Sequence, residues 1–119
     1  MEPTETIDLF ARHLNAGDLE AALTLYEPDA SFRPQPDTLV SGLPAIREAL
    51  AGFFALRPTL DGEIQRVLRA GDIALVVNKW RLAGTLPDGT PVQQSGTSTD
   101  VLRRQPDGRW LLAIDHPWG

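Results

Sequence analysis

Two aspartates near the end of the chain, Asp100 and Asp115, have a spacing that could support acid–base chemistry. If Asp107 and Gly108 form a two-residue hairpin loop, the flanking strands pair so that Asp100 lies directly opposite Asp115. The Cβ atoms of such a pair are about 5 Å apart, and two carboxylates at that distance repel by roughly 3 kcal/mol at an effective dielectric of about 20. We therefore expect the pKa of one aspartate to be raised. A protonated carboxyl group beside an ionised one can serve as general acid and base or stabilise an oxyanion.

Other readings of the aspartate pair stay open from the sequence alone. Both carboxylates could be solvated at a sheet edge, or each could be neutralised by an arginine such as Arg66 or Arg81. A register slip of one residue would also place the two side chains on opposite faces of the sheet.

The strands around Asp100 supply further candidate site residues. Residues 87–89 are typical of a three-residue hairpin loop, which pairs Trp80 with Gly96, Asn78 with Ser98, and Val76 with Asp100. Ser98 then shares a face with Asp100, because side chains alternate along a strand. The residues that we expect to line a cavity and bind a ligand are Asn78, Trp80 and Ser98, with Phe10, Leu14, Phe32 and Phe54 as its apolar wall. The alternative for the aromatic residues is ordinary core packing, and for the polar ones hydrogen bonding within the sheet.

Composition excludes several other classes of protein. The chain has no cysteine, so it has neither a disulfide framework nor a thiol nucleophile. Its 11 Lys+Arg against 16 Asp+Glu give a net charge of −5, which argues against nucleic acid and against anionic membranes as partners. The two histidines, His13 and His116, are predicted to lie away from the aspartate pair, so we expect no metal and no cofactor. The acidic N-terminus and the lack of a long apolar run predict a cytoplasmic protein.

The elements that must position these residues are three helices and a set of strands. Ile7, Phe10 and Leu14 mark one face of a first helix, with Thr4 as its expected N-cap and Gly17 as its end. A second short helix is predicted to present Leu19, Ala22, Leu23 and Tyr26 on its apolar face. A third follows Gly42, and its apolar stripe is Ile46, Leu50, Phe53 and Phe54.

The strands are mostly in the second half of the chain. Residues 30–33 are predicted as a short strand followed by a loop, and residues 59–70, 72–83, 92–103 and 109–117 as an antiparallel meander. Helices packed on one face of such a sheet define an α+β protein. At 119 residues, the chain is expected to be a single domain, residues 1–119.

Several segments resemble the nuclear transport factor 2-like superfamily, in the order that the superfamily has them. They are NAGDLEAAL and YEPDASF within residues 15–32, GLPAIRE at 42–48, and DVLRR, DGRW and IDHP within residues 100–117. The resemblance covers nearly the whole chain. It implies a cone-shaped α+β barrel with three N-terminal helices packed on a curved, mostly antiparallel sheet. It also implies a cavity that takes a small apolar or amphipathic ligand.

The superfamily includes ketosteroid isomerase, SnoaL-like polyketide cyclases, dehydratases and members without an assigned activity. The resemblance places Asp100 on the oxyanion-hole aspartate of ketosteroid isomerase. Phe10 then falls where that enzyme has its catalytic tyrosine, and Pro34 where it has its general base, unless Asp37 takes that role. Two hypotheses follow: a cofactor-independent isomerase, cyclase or lyase that uses Asp100 and Asp115, or a non-catalytic ligand-binding or association domain.

The side chains that alternate away from the cavity predict a second functional surface. Under the expected registers they include Leu75, Val77, Leu112 and Ile114, together with Thr97 and Thr99. Because an apolar sheet face is rarely left exposed on a monomer, we expect a homodimer through this outer face, and the resemblance implies the same.

Overall fold

The computed structural model describes residues 2–119, which form three helices and one six-stranded sheet. In chain order the elements are α1 (Pro3–Ala16), α2 (Leu19–Leu23), β1 (Tyr26–Gln35), β2 (Thr38–Ser41), α3 (Leu43–Phe54), β3 (Thr59–Ala70), β4 (Ile73–Thr85), β5 (Pro91–Arg104) and β6 (Trp110–Asp115). The strand order is β2-β1-β6-β5-β4-β3, with β1 and β6 parallel and the other neighbours antiparallel. Within residues 2–119 no helix is both long and apolar enough to span a membrane.

The three helices are not all N-terminal to the sheet, which corrects the expected arrangement. Only α1 and α2 precede the first strand, and α3 follows the β1–β2 hairpin. The helices pack on one face of the sheet, the inner face. There Ile46 and Leu50 of α3 join the buried strand residues Val76, Leu102 and Leu112. The expected α+β class, with a mostly antiparallel sheet, is confirmed.

The start of α1 and the end of α2 differ from expectation. Pro3 occupies the first turn of α1 with Glu2 as N-cap, so Thr4 lies inside the helix. Proline suits this position because its ring fixes φ and its missing N–H would have no partner there. α2 ends at Leu23, and Tyr26 is the first residue of β1 rather than part of a helical face.

β1 is longer than the short strand that the sequence predicts. It runs from Tyr26 to Gln35 and forms a hairpin with β2, where a loop was expected. The sequence did not predict the full strand because β1 contains two prolines, and proline has no N–H to donate to the hydrogen bonds of a regular sheet. Pro28 lies where the pairing with β6 is irregular, and Pro34 lies where the pairing with β2 is irregular.

The pairing of β4 with β5 confirms the expected register. Trp80 is opposite Gly96, Asn78 opposite Ser98, and Val76 opposite Asp100. The register follows from the three-residue turn, which is closed by the bond from the Leu86 N–H to the Thr90 carbonyl at 2.8 Å.

The pairing of β5 with β6 contains two offsets that compensate each other. The Gln105 N–H bonds to the Arg109 carbonyl at 2.7 Å, so the turn has three residues, 106–108, rather than the two expected. An extra residue, Ala113, then shifts the register, so that Val101 is opposite Ile114. This bulge turns Leu112 inward, against the expectation that it faces outward.

The segment just after α3 approaches β4 closely at a glycine, and this contact gives a test of the packing. A Cβ on Gly84 would lie 2.8 Å from the carbonyl oxygen of Leu56, whereas a Cβ on Gly52 would meet nothing within 4 Å. We expect Gly84→Ala to lower the free energy of unfolding by about 1–3 kcal/mol, because the backbone must move to relieve the overlap. Gly52→Ala, on the exposed side of α3, should raise it by about 0.5–1 kcal/mol. Urea unfolding of both variants checks this, and equal effects would contradict the described contact.

Candidate active site

A cavity of about 420 Å³ lies between the inner face of the sheet and helices α1 and α3. Eight of the nine expected site residues line it: Phe10, Leu14, Phe32, Asn78, Trp80, Ser98, Asp100 and Asp115. Phe54 does not. Phe53 takes that place, one turn of α3 beyond Leu50, while Phe54 packs against the neighbouring core. At this position the cavity lining differs from the expected one by one residue of helix phase.

Two tryptophans form part of the wall while their polar atoms are satisfied elsewhere. The Trp80 indole N–H donates to the Pro117 carbonyl at 2.7 Å, and the Trp118 indole N–H donates to the Pro34 carbonyl at 3.1 Å. Their rings meet edge to face, with centroids 5.2 Å apart. Both tryptophans thus present apolar ring surface to the cavity and leave it open.

The carboxyl groups of Asp100 and Asp115 come together at the buried side of this cavity. Asp100 is 4% exposed and Asp115 is 9% exposed, which excludes a solvated pair at the sheet edge. The two side chains lie close enough for each to affect the pKa of the other. The expected arginine partners lie elsewhere: Arg81 pairs with Asp61 at 3.0 Å, and Arg66 is in register with the outward-facing Val77.

Neutral donors from three parts of the chain surround the aspartate pair. The backbone N–H of His116 donates to Oδ1 of Asp100 at 3.0 Å. The Ser98 hydroxyl lies 3.3 Å from Oδ2 of Asp100 and 3.2 Å from the Asn78 carbonyl oxygen. The Tyr26 hydroxyl donates to Oδ2 of Asp115 at 2.5 Å. Each carboxyl group therefore has at least one hydrogen-bond donor that can stabilise its ionised form.

The two aspartates have unequal proton affinities. Burial raises the pKa of Asp100 well above its ordinary value, and the Asp115 charge and the bond to Asp115 raise it further. Burial also raises the pKa of Asp115, but the hydrogen bonds from Asp100 and Tyr26 oppose this. The pKa of each aspartate is therefore raised, and that of Asp100 more strongly. Burial, followed by the nearby Asp115 charge, raises the pKa of Tyr26 well above its ordinary value.

Tyr26 is the residue of this network that the sequence reasoning missed. The sequence analysis placed Tyr26 on the apolar face of the second helix and gave it no role in the site, whereas it is the first residue of β1. A signal was present, since Pro28 two residues later does not suit a continuing helix. Tyr26, Ala30 and Phe32 are separated by even numbers of residues. In a strand they would therefore all lie on the same face.

The exposed side of the cavity is polar, in contrast to its walls. Asp8 and Arg12 of α1 and Asp61 of β3 line it there and are exposed to solvent. Asp37, considered above as a general base, lies exposed in the β1–β2 turn and is not part of the cavity lining. Among the described residues, no group of three or more His, Asp or Glu side chains could hold a metal ion.

The family of the chain follows from comparison with known proteins. The SnoaL-like domain model matches residues 7–113, so the chain belongs to the SnoaL-like family, within the nuclear transport factor 2-like superfamily. No curated protein matches the chain.

Solved structures with the same fold carry several different descriptions. One is a ketosteroid isomerase-like protein from Erwinia carotovora atroseptica, with 19% identity, 95% of this chain and 89% of that chain covered, and a TM-score of 0.82. A proposed dehydratase of the NTF2-like family from Streptomyces avermitilis has 22% identity, coverages of 95% and 90%, and a TM-score of 0.81. A proposed calcium/calmodulin-dependent protein kinase type II association domain from Thiobacillus denitrificans has 20% identity, coverages of 96% and 91%, and a TM-score of 0.79. At these identities the similarity shows the fold alone.

The raised pKa of Asp100 predicts how stability depends on pH. In the unfolded chain an aspartate ionises near pH 4, about 3.9, whereas folded Asp100 keeps its proton to higher pH. Between about pH 4 and the pKa of folded Asp100, the folded state binds more protons than the unfolded state. The free energy of unfolding therefore falls as pH rises through this range. Asp100→Asn removes this ionisation and keeps an N–H that can donate to Asp115. We expect a flatter pH dependence and a gain of about 1–2 kcal/mol at neutral pH.

Urea unfolding over a pH series measures this effect. Asp37→Asn, in an exposed turn, is the matched control and should leave the slope unchanged. An unaltered slope in Asp100→Asn would show that Asp100 ionises as it does in the unfolded chain.

Proposed function

We propose that residues 1–119 form one cone-shaped domain that binds a small apolar or amphipathic molecule and catalyses its isomerisation, cyclisation or elimination without a cofactor. The observation that carries the proposal is the pair of buried carboxyl groups, Asp100 and Asp115, which both face a largely apolar cavity.

The pair can move protons in two directions at once. Asp115, as the ionised member, can accept a proton from an acidic C–H of the ligand. Asp100, as the protonated member, can donate its proton to a carbonyl or hydroxyl oxygen of the same ligand. The first step of an isomerisation and the loss of water in an elimination both require this combination. Neither step needs a metal or an organic cofactor.

The lining of the cavity supports a ligand with an apolar body and few polar groups. Phe10, Phe32 and Phe53 provide flat apolar surface on one side, and Trp80 extends it. The side-chain amide of Asn78 also lines the cavity and has no hydrogen-bond partner within residues 2–119. We assign Asn78 and Ser98 the role of orienting a ligand oxygen near Asp100. The volume of about 420 Å³ suits a molecule of a few fused rings or a folded chain.

Family membership and the described relatives support an isomerase or lyase type of reaction without deciding between them. Two of the structural neighbours are described as ketosteroid isomerase-like and as a proposed dehydratase. Steroid isomerisation in particular is not favoured, because Phe10 and Pro34 stand where the resemblance would require a tyrosine and a base.

A second candidate function is that of a binding or association domain. One neighbour is described as a proposed association domain. An apolar row on the outer face of the sheet favours a second copy of the chain as partner. Leu68, Leu75, Val101 and Ile114 are consecutive partners across four strands. Leu68 is 57% and Ile114 45% exposed, so the row is open to solvent in a single chain. We propose that a homodimer buries it.

The catalytic proposal predicts which substitutions abolish turnover. Thermal shift against steroids, polyketide-like ketones and aromatic acids should identify one chemical class that stabilises the protein. With that class as substrate, Asp100→Asn and Asp115→Asn should each lower kcat by about 10²–10⁴-fold, the usual contribution of a general acid or base. Asp37→Asn should not. Stabilisation by a ligand without any turnover in the wild-type protein would favour the binding domain, and unaffected turnover in both variants would refute the aspartate mechanism.

The dimer proposal predicts the effect of a charge on the apolar row. Leu68→Lys should weaken self-association by more than tenfold, because the interface would bury an unpaired ammonium group. Leu86→Lys, at a side chain 41% exposed in the β4–β5 turn, is the matched control and should not. Sedimentation velocity over a concentration series measures both. A wild-type protein that is monomeric at all concentrations would exclude this dimer.

A further inference from the structure

Tyr26 is a buried titratable group that touches the candidate catalytic pair but lies outside the cavity lining. It is 2% exposed, and its hydroxyl donates to Oδ2 of Asp115 at 2.5 Å. A ligand in the cavity would meet Asp100 and Asp115, which do line it. Any effect of Tyr26 on the reaction must therefore act through Asp115.

Aromatic contacts hold the ring of Tyr26 in place. It meets Phe10 edge to face, with centroids 6.3 Å apart, and Phe32 in a tilted contact at 6.2 Å. Both phenylalanines come from the cavity wall, one on α1 and the other on β1 itself. Because the ring is packed on both sides, the direction of its hydroxyl is set before a ligand enters.

The two carboxyl groups receive different kinds of hydrogen bond. Asp100 accepts from the backbone N–H of His116 at 3.0 Å and has the Ser98 hydroxyl at 3.3 Å. Asp115 accepts the shorter bond from the Tyr26 hydroxyl at 2.5 Å. A carboxylate accepts such bonds better than a neutral carboxyl group does, so a short bond from a phenol favours the charge on the group that accepts it.

The other charged groups near Asp115 do not provide this bias. His116, the next residue in the chain, lowers the pKa of Asp115 through its charge, as the last of the causes that act on it. Asp8 and Arg12 on α1 and Asp61 on β3 reach the same cavity from its solvent-exposed side. The difference in pKa between the two aspartates therefore depends mainly on the hydrogen-bond donors next to each carboxyl group.

We propose that Tyr26 is a positioning residue that keeps Asp115 ionised, so that the shared proton stays on Asp100 and fixes Asp100 as the acid and Asp115 as the base. This inference rests on the proposed function and assigns the direction of proton transfer within it. With the hydroxyl of Tyr26 removed, the proton would be distributed more evenly, and only part of the molecules would hold it on the residue that donates.

Tyr26→Phe tests the proposal because it removes the hydroxyl and keeps the packed ring. The measurement is a carboxyl-carbon NMR titration of Asp100 and Asp115, with Asp→Asn variants for assignment. A hydrogen bond to a charged group changes an equilibrium by about tenfold or more. The ratio of protonated to ionised Asp115 should therefore rise by about tenfold, and the two titration steps should move closer together.

Ser98→Ala is the matched variant on the other aspartate. The Ser98 hydroxyl lowers the pKa of Asp100, so its removal should raise that pKa and move the two steps further apart. A purely structural disturbance of the site would move both variants in the same direction. Opposite directions support the proposal, and equal directions overturn it.

A second measurement needs no substitution of Tyr26. The chain has one tyrosine, so the ring-carbon signal of labelled protein reports Tyr26 alone. In the wild-type protein this tyrosine should stay protonated far above the ordinary tyrosine range. In Asp115→Asn the neighbouring charge is gone, and Tyr26 should ionise at lower pH than in the wild type. A tyrosine that titrates in the ordinary range in the wild type would overturn the proposal.

These results separate the inference from the function on which it rests. If the wild-type aspartates titrate in two separated steps but Tyr26→Phe leaves them unchanged, the positioning role is wrong while the acid–base pair stands. If both aspartates titrate in the wild type as isolated carboxyl groups do, the proposed function itself fails.

Discussion

A charge that leaves water must find a partner or take up a proton, and this requirement governs the arrangement around Asp100 and Asp115. Burial disfavours the ionised form of both carboxyl groups, and the charge of Asp115 disfavours ionisation of Asp100 further. The charge that remains is met by neutral donors rather than by an arginine. The Tyr26 hydroxyl donates to Asp115 from β1, and the backbone N–H of His116 donates to Asp100 from just beyond the end of β6. The parallel pairing of β1 with β6 is what brings the first of these donors within reach.

The helices provide much of the apolar wall of the cavity, and the sheet provides its polar groups. α1 and α3 contribute Phe10, Leu14 and Phe53, while β4, β5 and β6 contribute the polar groups from neighbouring positions. An apolar wall lowers the local dielectric and so strengthens every electrostatic interaction of the carboxyl groups. The tryptophans add to this wall without adding unsatisfied polar atoms, because backbone carbonyls accept their indole N–H groups. The apolar walls therefore affect the pKa values of the two carboxyl groups, as their hydrogen-bond partners do.

Prediction from the sequence succeeded where a turn specifies a register and failed where a proline conceals a strand. The 87–89 turn correctly places Asn78 opposite Ser98 and Trp80 opposite Gly96. For β5 and β6 the predicted loop was too short by one residue, and the Ala113 bulge restored the register beyond it, so Asp100 and Asp115 still share a face. Nothing in the sequence around Ala113 predicts such a bulge. Tyr26 was missed because it was assigned to the second helix, and the two prolines of β1 are not typical of a strand that pairs with β6.

The energetic cost of the aspartate pair bears on the choice between an enzyme and a binding domain. A domain that only binds an apolar ligand or a second copy of itself gains nothing from two buried carboxyl groups, and neutral residues of similar shape are as good or better for stability. Asparagine at position 100 would keep a donor for Asp115 without the burden of an ionisable group. A site with two buried acids, hydrogen-bond donors around them and an open cavity beside them fits the proposed proton transfer. The outer apolar row, which lies on the opposite face of the sheet, can mediate association at the same time, so the two functions need not compete for the same surface.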